Sequence, residues 1–77
     1  MKTTDINESL IGKKVKGIFT GLEITGEIVG IVEDEYFKGV RICMDEEVNW
    51  GGEWYRYYES TARKFDDWGN LNHTELI

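Results

Sequence analysis

The chain has 77 residues, is rich in aromatic side chains and contains no proline. Nine basic against fifteen acidic residues give a net charge of −6, whereas domains that grip phosphates usually present a basic surface. Ordinary nucleic-acid binding is therefore disfavoured. The length fits one domain, residues 1–77, with a small core, because so short a chain buries only about 60% of the surface that its unfolded form exposes.

Cysteine usage and hydropathy bear on the compartment. Cys43 is the only cysteine, so it has no partner for a disulfide within the chain. A lone thiol on a strand-like run suits a reducing setting, and residues 1–7 show no signal-peptide pattern. No segment is apolar over the length that a membrane span needs. We therefore expect a cytoplasmic protein that does not enter a membrane.

The first residues predict a polar lead-in. Residues 1–7 are expected to fray, because they carry few apolar side chains. Asp5 or Asn7 is suited to cap one short N-terminal helical turn over residues 8–11, which Gly12 would end. A simple extended approach to the first strand is an equal alternative.

Two strands are predicted next. Alternating side chains indicate strand one over Lys13–Thr20 and strand two over Glu23–Glu33. From Ile28 onward the apolar residues occupy both parities, so we expect this part of strand two to be covered on both faces. Gly26 and Gly30 mark places where the strand can bend. A long bent strand would allow a small sheet to curl into a barrel.

The middle of the chain predicts a third strand between acidic connectors. Residues 33–39 form the first connector, and Val40–Met44 alternates as strand three with its apolar side chains toward the core. The acidic residues Asp45–Glu47 are expected to begin a second connector. Residues 49–52, Asn-Trp-Gly-Gly, are expected to form a loop.

The segment Glu53–Phe65 fits either a strand or an amphipathic helix. We favour a strand, because tyrosine, tryptophan and threonine suit a pleated surface and strong helix formers are scarce. Residues 66–70 then form a turn, and Leu71–Ile77 contains a short last strand. The pattern predicts an all-β fold in which five strands make a small, partly open barrel.

Three motifs carry a resemblance to a known fold. They are Gly12-Lys13-Lys14-Val15, Thr25-Gly26-Glu27-Ile28-Val29-Gly30-Ile31 and Gly39-Val40-Arg41-Ile42. In this order they resemble the Src-homology-3-like small barrels of the Tudor or KOW kind. The resemblance implies a non-catalytic domain that binds proline-rich peptides, methylated side chains or nucleic acid through loops beside the barrel mouth.

The residue types argue against catalysis and metal binding. Nucleophilic catalysis needs a base beside the nucleophile, but Cys43 and His73 lie on different predicted elements. A zinc site needs about four ligands of these types, and the carboxylate runs lack the spacing of a calcium loop. We therefore expect no enzyme activity, no metal and no cofactor.

Large rings at predicted loops and strand ends are the stronger functional signal, because tryptophan and tyrosine are the preferred anchors of interfaces. The sequence predicts a non-catalytic module that binds a protein or peptide of unknown identity through these rings. A homodimer that hides them is also open, as is the alternative that the rings only close a small core. The candidate partner-binding residues are Tyr36, Phe37, Trp50, Trp54, Tyr55 and Trp68.

Charged clusters leave two further alternatives. Acidic runs at residues 33–35, 45–47 and 66–67 would suit a phage or mobile-element inhibitor that mimics DNA, although solvated turns are the favoured explanation. A basic cluster would suit phosphate binding, although cross-strand pairing with Glu23, Glu27 and Glu59 is favoured. The basic cluster consists of Lys13, Lys14 and Lys16.

Overall fold

A computed structural model describes residues 1–64, 69–71 and 73–77. The strands are β1 (Lys14–Phe19), β2 (Leu22–Glu33), β3 (Phe37–Trp50), β4 (Glu53–Arg63) and β5 (Thr74–Leu76). They form one antiparallel sheet in the spatial order β4-β3-β2-β1-β5. The predicted all-β fold is confirmed, and residues 53–63 form a strand rather than a helix. In the described part of the chain, no helix is long and apolar enough to cross a bilayer.

Two tight turns define one end of the sheet. The β1–β2 turn has positive φ at Thr20 (52°) and Gly21 (85°), and the β3–β4 turn has positive φ at Gly51 (63°) and Gly52 (84°). Positive φ at both central residues is the signature of the type I′ hairpin, whose twist matches that of the strands. Because the strands are antiparallel, both turns lie at the same end, which we name the hairpin end.

The opposite end, which we name the capped end, holds the β2–β3 connection and two 3-10 turns. The second turn, Glu8–Leu10, follows the prediction: the Asn7 side chain accepts a hydrogen bond from the Ser9 N–H, and Gly12 follows with a φ of +92°. The first turn, Thr3–Asp5, was not expected. Together the two turns cover the capped end of the core.

The prediction that residues 1–7 fray is wrong. Ile6 is 1% exposed and belongs to the core, and Thr3 is also buried. The amino group of Met1 donates a hydrogen bond of 2.9 Å to Asn70 Oδ1, and the Leu71 N–H donates one of 2.7 Å to the Met1 carbonyl. These contacts hold the first residues against a part of the chain too distant in sequence for local patterns to reveal.

A β-bulge explains the apolar residues at both parities of β2. Ile28 pairs with Ile42, but the register then shifts so that Gly30 pairs with Arg41 and Ile31 with Val40. Val29 is therefore the extra residue, and its side chain is exposed. The core-facing side chains of β2 are therefore at even-numbered positions before the bulge and at odd-numbered positions after it. The prediction that both faces of β2 are covered is therefore wrong. The core-facing side chains before and after the bulge lie on the same face of the sheet.

β3 is much longer than predicted. The core-facing pattern over Val40–Met44 is confirmed, with all three apolar side chains buried. However, the strand begins at Phe37 and ends at Trp50, so the residues assigned to an acidic connector and a loop belong to it. Its second half forms because the two-residue glycine turn brings β4 directly alongside.

The acidic residues of β3 lie in a wide bulge, residues 44–47, which we name the acidic bulge. Regular β3–β4 pairs on its two sides are Cys43 with Tyr57 and Val48 with Tyr55. Four residues of β3 therefore lie opposite the single residue Arg56. The Arg56 Nε donates a hydrogen bond of 2.8 Å to the Met44 carbonyl, which satisfies one backbone group that the bulge removes from the ladder.

The sheet is strongly curled. Among the described residues, β4 and β5 share no backbone pair, so the sheet keeps two edges and the predicted closure is not reached by strand pairing. Side chains nevertheless bridge these distant strands: the Ser60 and Thr74 hydroxyls are 2.8 Å apart and hydrogen-bonded. The ring centroids of Phe19 on β1 and Tyr58 on β4 are 5.4 Å apart. The curl thus wraps a single sheet around the core.

Candidate binding site

A cleft opens at the hairpin end, because the two hairpins diverge there. β2 and β3 pair from the capped end up to Gly26 and Met44, and no pair joins them beyond this point. Beyond it, β2 pairs with β1 and β3 pairs with β4. The resulting space, which we name the hairpin cleft, is lined by residues 22–25 on one wall and by residues 45–49 with Trp54 on the other.

Two large apolar side chains stand open at the hairpin cleft. Trp54, opposite Asn49 in the β3–β4 hairpin, is 66% exposed, and Leu22 on the other wall is about half exposed. Val48 and Ile24 lie between them as partly buried lining. A concave surface with an exposed tryptophan on one side and an aliphatic side chain on the other is suited to hold an apolar group.

The other rings of the hairpin end form a row on the core side of the sheet. The Trp50 ring centroid lies 6.4 Å from that of Tyr55, and the Tyr55 centroid lies 5.5 Å from that of Phe19. Phe19 in turn contacts Tyr58. Among the described residues the Tyr58 hydroxyl has no hydrogen-bond partner, and burial raises its pKa. This row closes the core at the hairpin end, with Trp50 as its exposed last member.

The structure divides the predicted aromatic set between the two ends of β3. β3 begins at Phe37 at the capped end and ends at Trp50 beside the β3–β4 turn at the hairpin end. Tyr36 and Phe37 therefore belong to a different surface from the hairpin cleft. Trp68 lies outside the described residues. The structure brings together at the hairpin end Trp50, Trp54 and Tyr55.

Asp45 joins the two walls at the base of the hairpin cleft. The Thr25 hydroxyl on β2 donates a hydrogen bond of 2.7 Å to one oxygen of Asp45, and the Lys14 Nζ donates one of 3.1 Å to the other. These two donors, with Thr25 the stronger influence, lower the pKa of the Asp45 carboxyl. This contact sets the point along the strands at which β2 and β3 begin to separate.

Three further carboxylates of the hairpin cleft have no such partner. Within the described ranges, no side chain or backbone group donates a hydrogen bond to Glu23, Glu46 or Glu47, and no cation pairs with them. Glu23 stands on the β2 wall, and the other two stand in the acidic bulge. The hairpin cleft therefore combines an exposed ring with three carboxylates that form no hydrogen bond or ion pair with the described residues.

Two carboxylates of the capped end, Glu33 and Asp34, are bonded to groups of the protein itself. The Lys64 ammonium lies 3.0 Å from Glu33, and Lys38 lies 3.9 Å from it. The hydrogen bond from Lys64 is the main cause of the lowered pKa of Glu33. Asp34 accepts the backbone N–H groups of Phe37 and Tyr36, at 2.7 and 2.8 Å, and these bonds lower its pKa.

The predicted basic cluster is partly neutralised. Lys14 pairs with Asp45, and Lys16 lies 3.5 Å from Glu75 on β5. The partners expected from cross-strand spacing were Glu23, Glu27 and Glu59, but the acidic bulge and β5 supply them instead. Two of the three lysines therefore direct their charge toward carboxylates of the same molecule.

Comparison with known proteins assigns the family. The family model of a domain of unknown function, DUF7258, matches residues 1–76. The chain belongs to the DUF7258 family. No curated protein and no solved structure matches it. The match includes both walls of the hairpin cleft, so the cleft lies within the extent of the DUF7258 domain.

Cys43 and His73 of this DUF7258 domain lie on separate elements of the fold. Cys43 is on β3 and His73 precedes β5, with β2 and β1 between these two strands. In the described ranges, no three residues among histidine, cysteine, aspartate and glutamate are placed to hold a metal ion. What the hairpin cleft offers chemically is apolar contact and negative charge.

Sequence reasoning missed the role of Leu22 and of the acidic bulge in the DUF7258 domain. The available signal was the Gly51-Gly52 pair, which is typical of a two-residue hairpin turn and requires strands directly before and after it. That interpretation would have placed Trp50 and Trp54 on paired strands. Nothing local indicates the bulge, because its size depends on the register on both of its sides.

Proposed function

We propose that this DUF7258 domain is a non-catalytic interaction module that binds a protein or peptide at its hairpin end. The observation that carries the proposal is the position of Trp54, a 66% exposed tryptophan at a concave cleft. Tryptophan contributes most to binding when a partner covers it in a pocket near the centre of an interface. Trp54 lies on one wall of the hairpin cleft, where a partner could cover it.

The alternative that the rings serve only the core fits part of the set. Tyr55 and Phe19 are packed ring against ring, and that packing accounts for them. Trp54 is different, because most of its surface faces solvent and little of the apolar area that it could bury is used by the fold. A structural role for Trp54 is therefore poorly supported, and a binding role is favoured.

We also propose that the curled sheet is a partly open Src-homology-3-like barrel. The hydrogen bond between Ser60 and Thr74 joins β4 and β5, the two ends of the strand order, and the ring contact between Phe19 and Tyr58 joins β1 and β4. Such contacts are expected where the first and last strands of a small barrel approach each other. In this arrangement the hairpin cleft lies beside the barrel mouth.

An acidic inhibitor that mimics DNA is less well supported. Such a mimic needs a row of carboxylates free to meet the cations of a protein groove. Glu33, Asp34 and Asp45 instead accept hydrogen bonds from the domain itself. The carboxylates that have no partner among the described residues lie around the hairpin cleft beside the exposed ring of Trp54, which fits a surface that binds a protein or peptide.

The test is capture of partners from a lysate of the native host, with mass spectrometry, using the domain and single variants. We expect Trp54→Ala to lose a specific partner that the unchanged domain retains. Tyr36→Ala is the matched control, because Tyr36 is similarly exposed, at 60%, but lies at the capped end. Retention of every partner by Trp54→Ala, or loss of the same partner by Tyr36→Ala, would contradict the proposal. Amide spectra of each variant establish that it is folded.

A further inference from the structure

The β2 wall of the hairpin cleft presents backbone groups as well as side chains. In a two-residue hairpin, the residues that flank the turn exchange both backbone hydrogen bonds, and this alternates along the strands. Leu22 pairs with Phe19 beside the turn, so Leu22 and Ile24 direct their backbone groups toward β1. Glu23 and Thr25 therefore direct theirs away from β1. Asp45 lies across from Thr25, so the backbone groups of Glu23 are the ones that face the open cleft.

Hydrogen bonds further along β2 agree with this alternation. Ile28 has the same parity as Leu22, and its N–H donates to the Lys13 carbonyl at 2.9 Å while its own carbonyl accepts from the Gly12 N–H at 2.8 Å. The backbone N–H and C=O groups of the even-numbered residues of β2 therefore point toward β1, as far as the bulge at Val29. The backbone groups of odd-numbered residues point toward β3 where the strands pair, and those of Glu23 point into the open cleft.

β3, the neighbour of β2 in the sheet, moves away from β2 at the hairpin cleft. β3 pairs with β2 at Gly26 and Met44 and then departs along the acidic bulge to follow β4. Beyond Thr25, whose hydroxyl is bonded to Asp45, the backbone N–H and C=O groups of Glu23 have no neighbour in the sheet within the described ranges. Unpaired backbone groups of a strand edge can bind an extended polypeptide.

The side chains around this edge define the charge of an occupant. Trp54 offers a ring face to a cation, and the carboxylates of Glu23, Glu46 and Glu47 have no partner among the described residues. Lysine and arginine side chains join an aliphatic stem to a charged head, so they can cover Leu22 and still reach a carboxylate. An acidic or nucleic-acid ligand would meet repulsion at the same positions.

We propose that the hairpin cleft binds an extended polypeptide segment bearing lysine or arginine, whose backbone hydrogen-bonds the N–H and C=O groups of Glu23. This inference rests on the proposed function and specifies the class of partner. A second copy of the chain is a poor occupant, because two molecules of net charge −6 repel each other and would bring further carboxylates to the cleft. The occupant is therefore a basic segment of another protein.

The probe is a synthetic eight-residue peptide that alternates lysine and threonine, with both ends blocked. Calorimetry measures its affinity, and amide hydrogen exchange maps the contact. We expect binding that weakens as salt rises, together with slowed exchange at the Glu23 amide. A peptide with glutamate in place of lysine should not bind. A peptide with alternate backbone nitrogens methylated should bind at least about tenfold more weakly, because it cannot pair as a strand.

Two double variants with the same net charge distinguish binding at the hairpin cleft from nonspecific attraction between a basic peptide and an acidic protein. Glu46→Gln with Glu47→Gln removes charge at the hairpin cleft, and we expect an affinity about fivefold lower, from two exposed charge contacts. Glu8→Gln with Glu35→Gln removes the same charge at the capped end and should leave the affinity nearly unchanged. Equal losses in both double variants would overturn the inference, as would equal binding of the methylated peptide.

The outcomes also separate this inference from the function on which it rests. If Trp54→Ala loses a host partner but the lysine peptide does not bind at the hairpin cleft, the proposed interaction module is retained and the proposal of a basic, extended occupant is rejected. If no partner depends on Trp54, the proposed function itself fails.

Discussion

The capped end and the hairpin end of the sheet use similar residues in opposite ways. At the capped end, Asp34 and Glu33 are bonded to groups of the domain, and Ile6 is driven into the core. At the hairpin end, Glu46 and Trp54 remain open to solvent although partners of suitable chemistry exist elsewhere in the chain. The comparison shows that the fold bonds Glu33 and Asp34 at one end and leaves Trp54 and Glu46 exposed at the other.

The turns explain how the hairpin end can remain open. Type I′ turns satisfy their strands locally and need no covering element, whereas the longer β2–β3 connection depends on Asp34 and on the backbone of Lys64. The capped end therefore needs tertiary contacts to hold it. Variants that disturb each end separately should show this difference, with effects on stability that decrease from the core of the capped end to the rim of the hairpin cleft.

The largest effect is expected for Ile6→Ala at the capped end. Ile6 is 1% exposed, so its truncation leaves a cavity and should lower the free energy of unfolding by about 2–5 kcal/mol. That is a large part of the roughly 4–12 kcal/mol expected for a domain of this length. Chemical denaturation measures the change. The control is Ile11→Ala, at 48% exposure, which should change it by less than about 0.5 kcal/mol. Similar losses for both would show that the capped end does not anchor the core.

Substitutions in the β1–β2 turn should act in opposite directions. Thr20 is a β-branched residue at a φ of 52°, so Thr20→Asn should stabilise the domain by about 1 kcal/mol. Gly21→Ala should destabilise it by about 1 kcal/mol through its φ of 85° alone, because the added Cβ meets no atom within 4 Å. Thermal unfolding of both variants provides the measurement. A loss of stability in Thr20→Asn would show that the threonine hydroxyl, bonded to the Phe19 carbonyl, outweighs the backbone preference.

Acid should weaken the capped end through Glu33 and Asp34. The pKa of each carboxyl is lowered, by Lys64 for Glu33 and by the Phe37 and Tyr36 N–H groups for Asp34, from ordinary values of 4.5 and 3.8. The stabilisation is therefore complete above those values and is lost as pH falls through the lowered pKa values.

Thermal midpoints recorded from pH 6 downward test this prediction. The wild-type midpoint should fall below about pH 4, and Asp34→Asn, which keeps an acceptor oxygen without the charge, should show a shallower fall. Glu46→Gln at the hairpin end should leave the wild-type profile unchanged, because Glu46 has no bond to any described residue. An identical profile for Asp34→Asn would show that its carboxylate does not contribute.

The smallest effect on stability is expected for Trp54→Ala. Its side chain is 66% exposed, so its removal should change the free energy of unfolding by less than about 0.5 kcal/mol. Tyr36→Ala, at 60% exposure, should behave similarly at the capped end. The comparison of ends is sharpened if Trp54→Ala keeps its stability and loses its partner. A cost above about 1 kcal/mol would instead make Trp54 a structural residue.

Local patterns predicted the parts of this fold that local chemistry determines. The alternation of Val40–Met44 and the ring-rich strand β4 follow from residues that suit a half-buried pleated surface. The cap at Asn7 was equally predictable from its neighbours. In each of these cases the signal and the structure lie within a few residues of each other.

The missed features depend on distant partners. The shift at Val29 is set by pairing with β3, and the burial of Ile6 is set by contacts near Asn70 and Leu71. The acidic bulge exists because β3 must leave β2 and still stay in register with β4. The hairpin cleft results from that departure, which is why the rings could be chosen from the sequence but their separation along β3 could not.

The pairing of β5 with β1 has a consequence for the order of folding. β1 to β4 form a meander in which every strand pairs with its neighbour in sequence, whereas Val15 must find Leu76 near the far end of the chain. Closing so long a loop is slower than zipping adjacent hairpins. β5 therefore docks last on the preformed meander, and its three-residue ladder should be the first part of the sheet to open in native-state fluctuations.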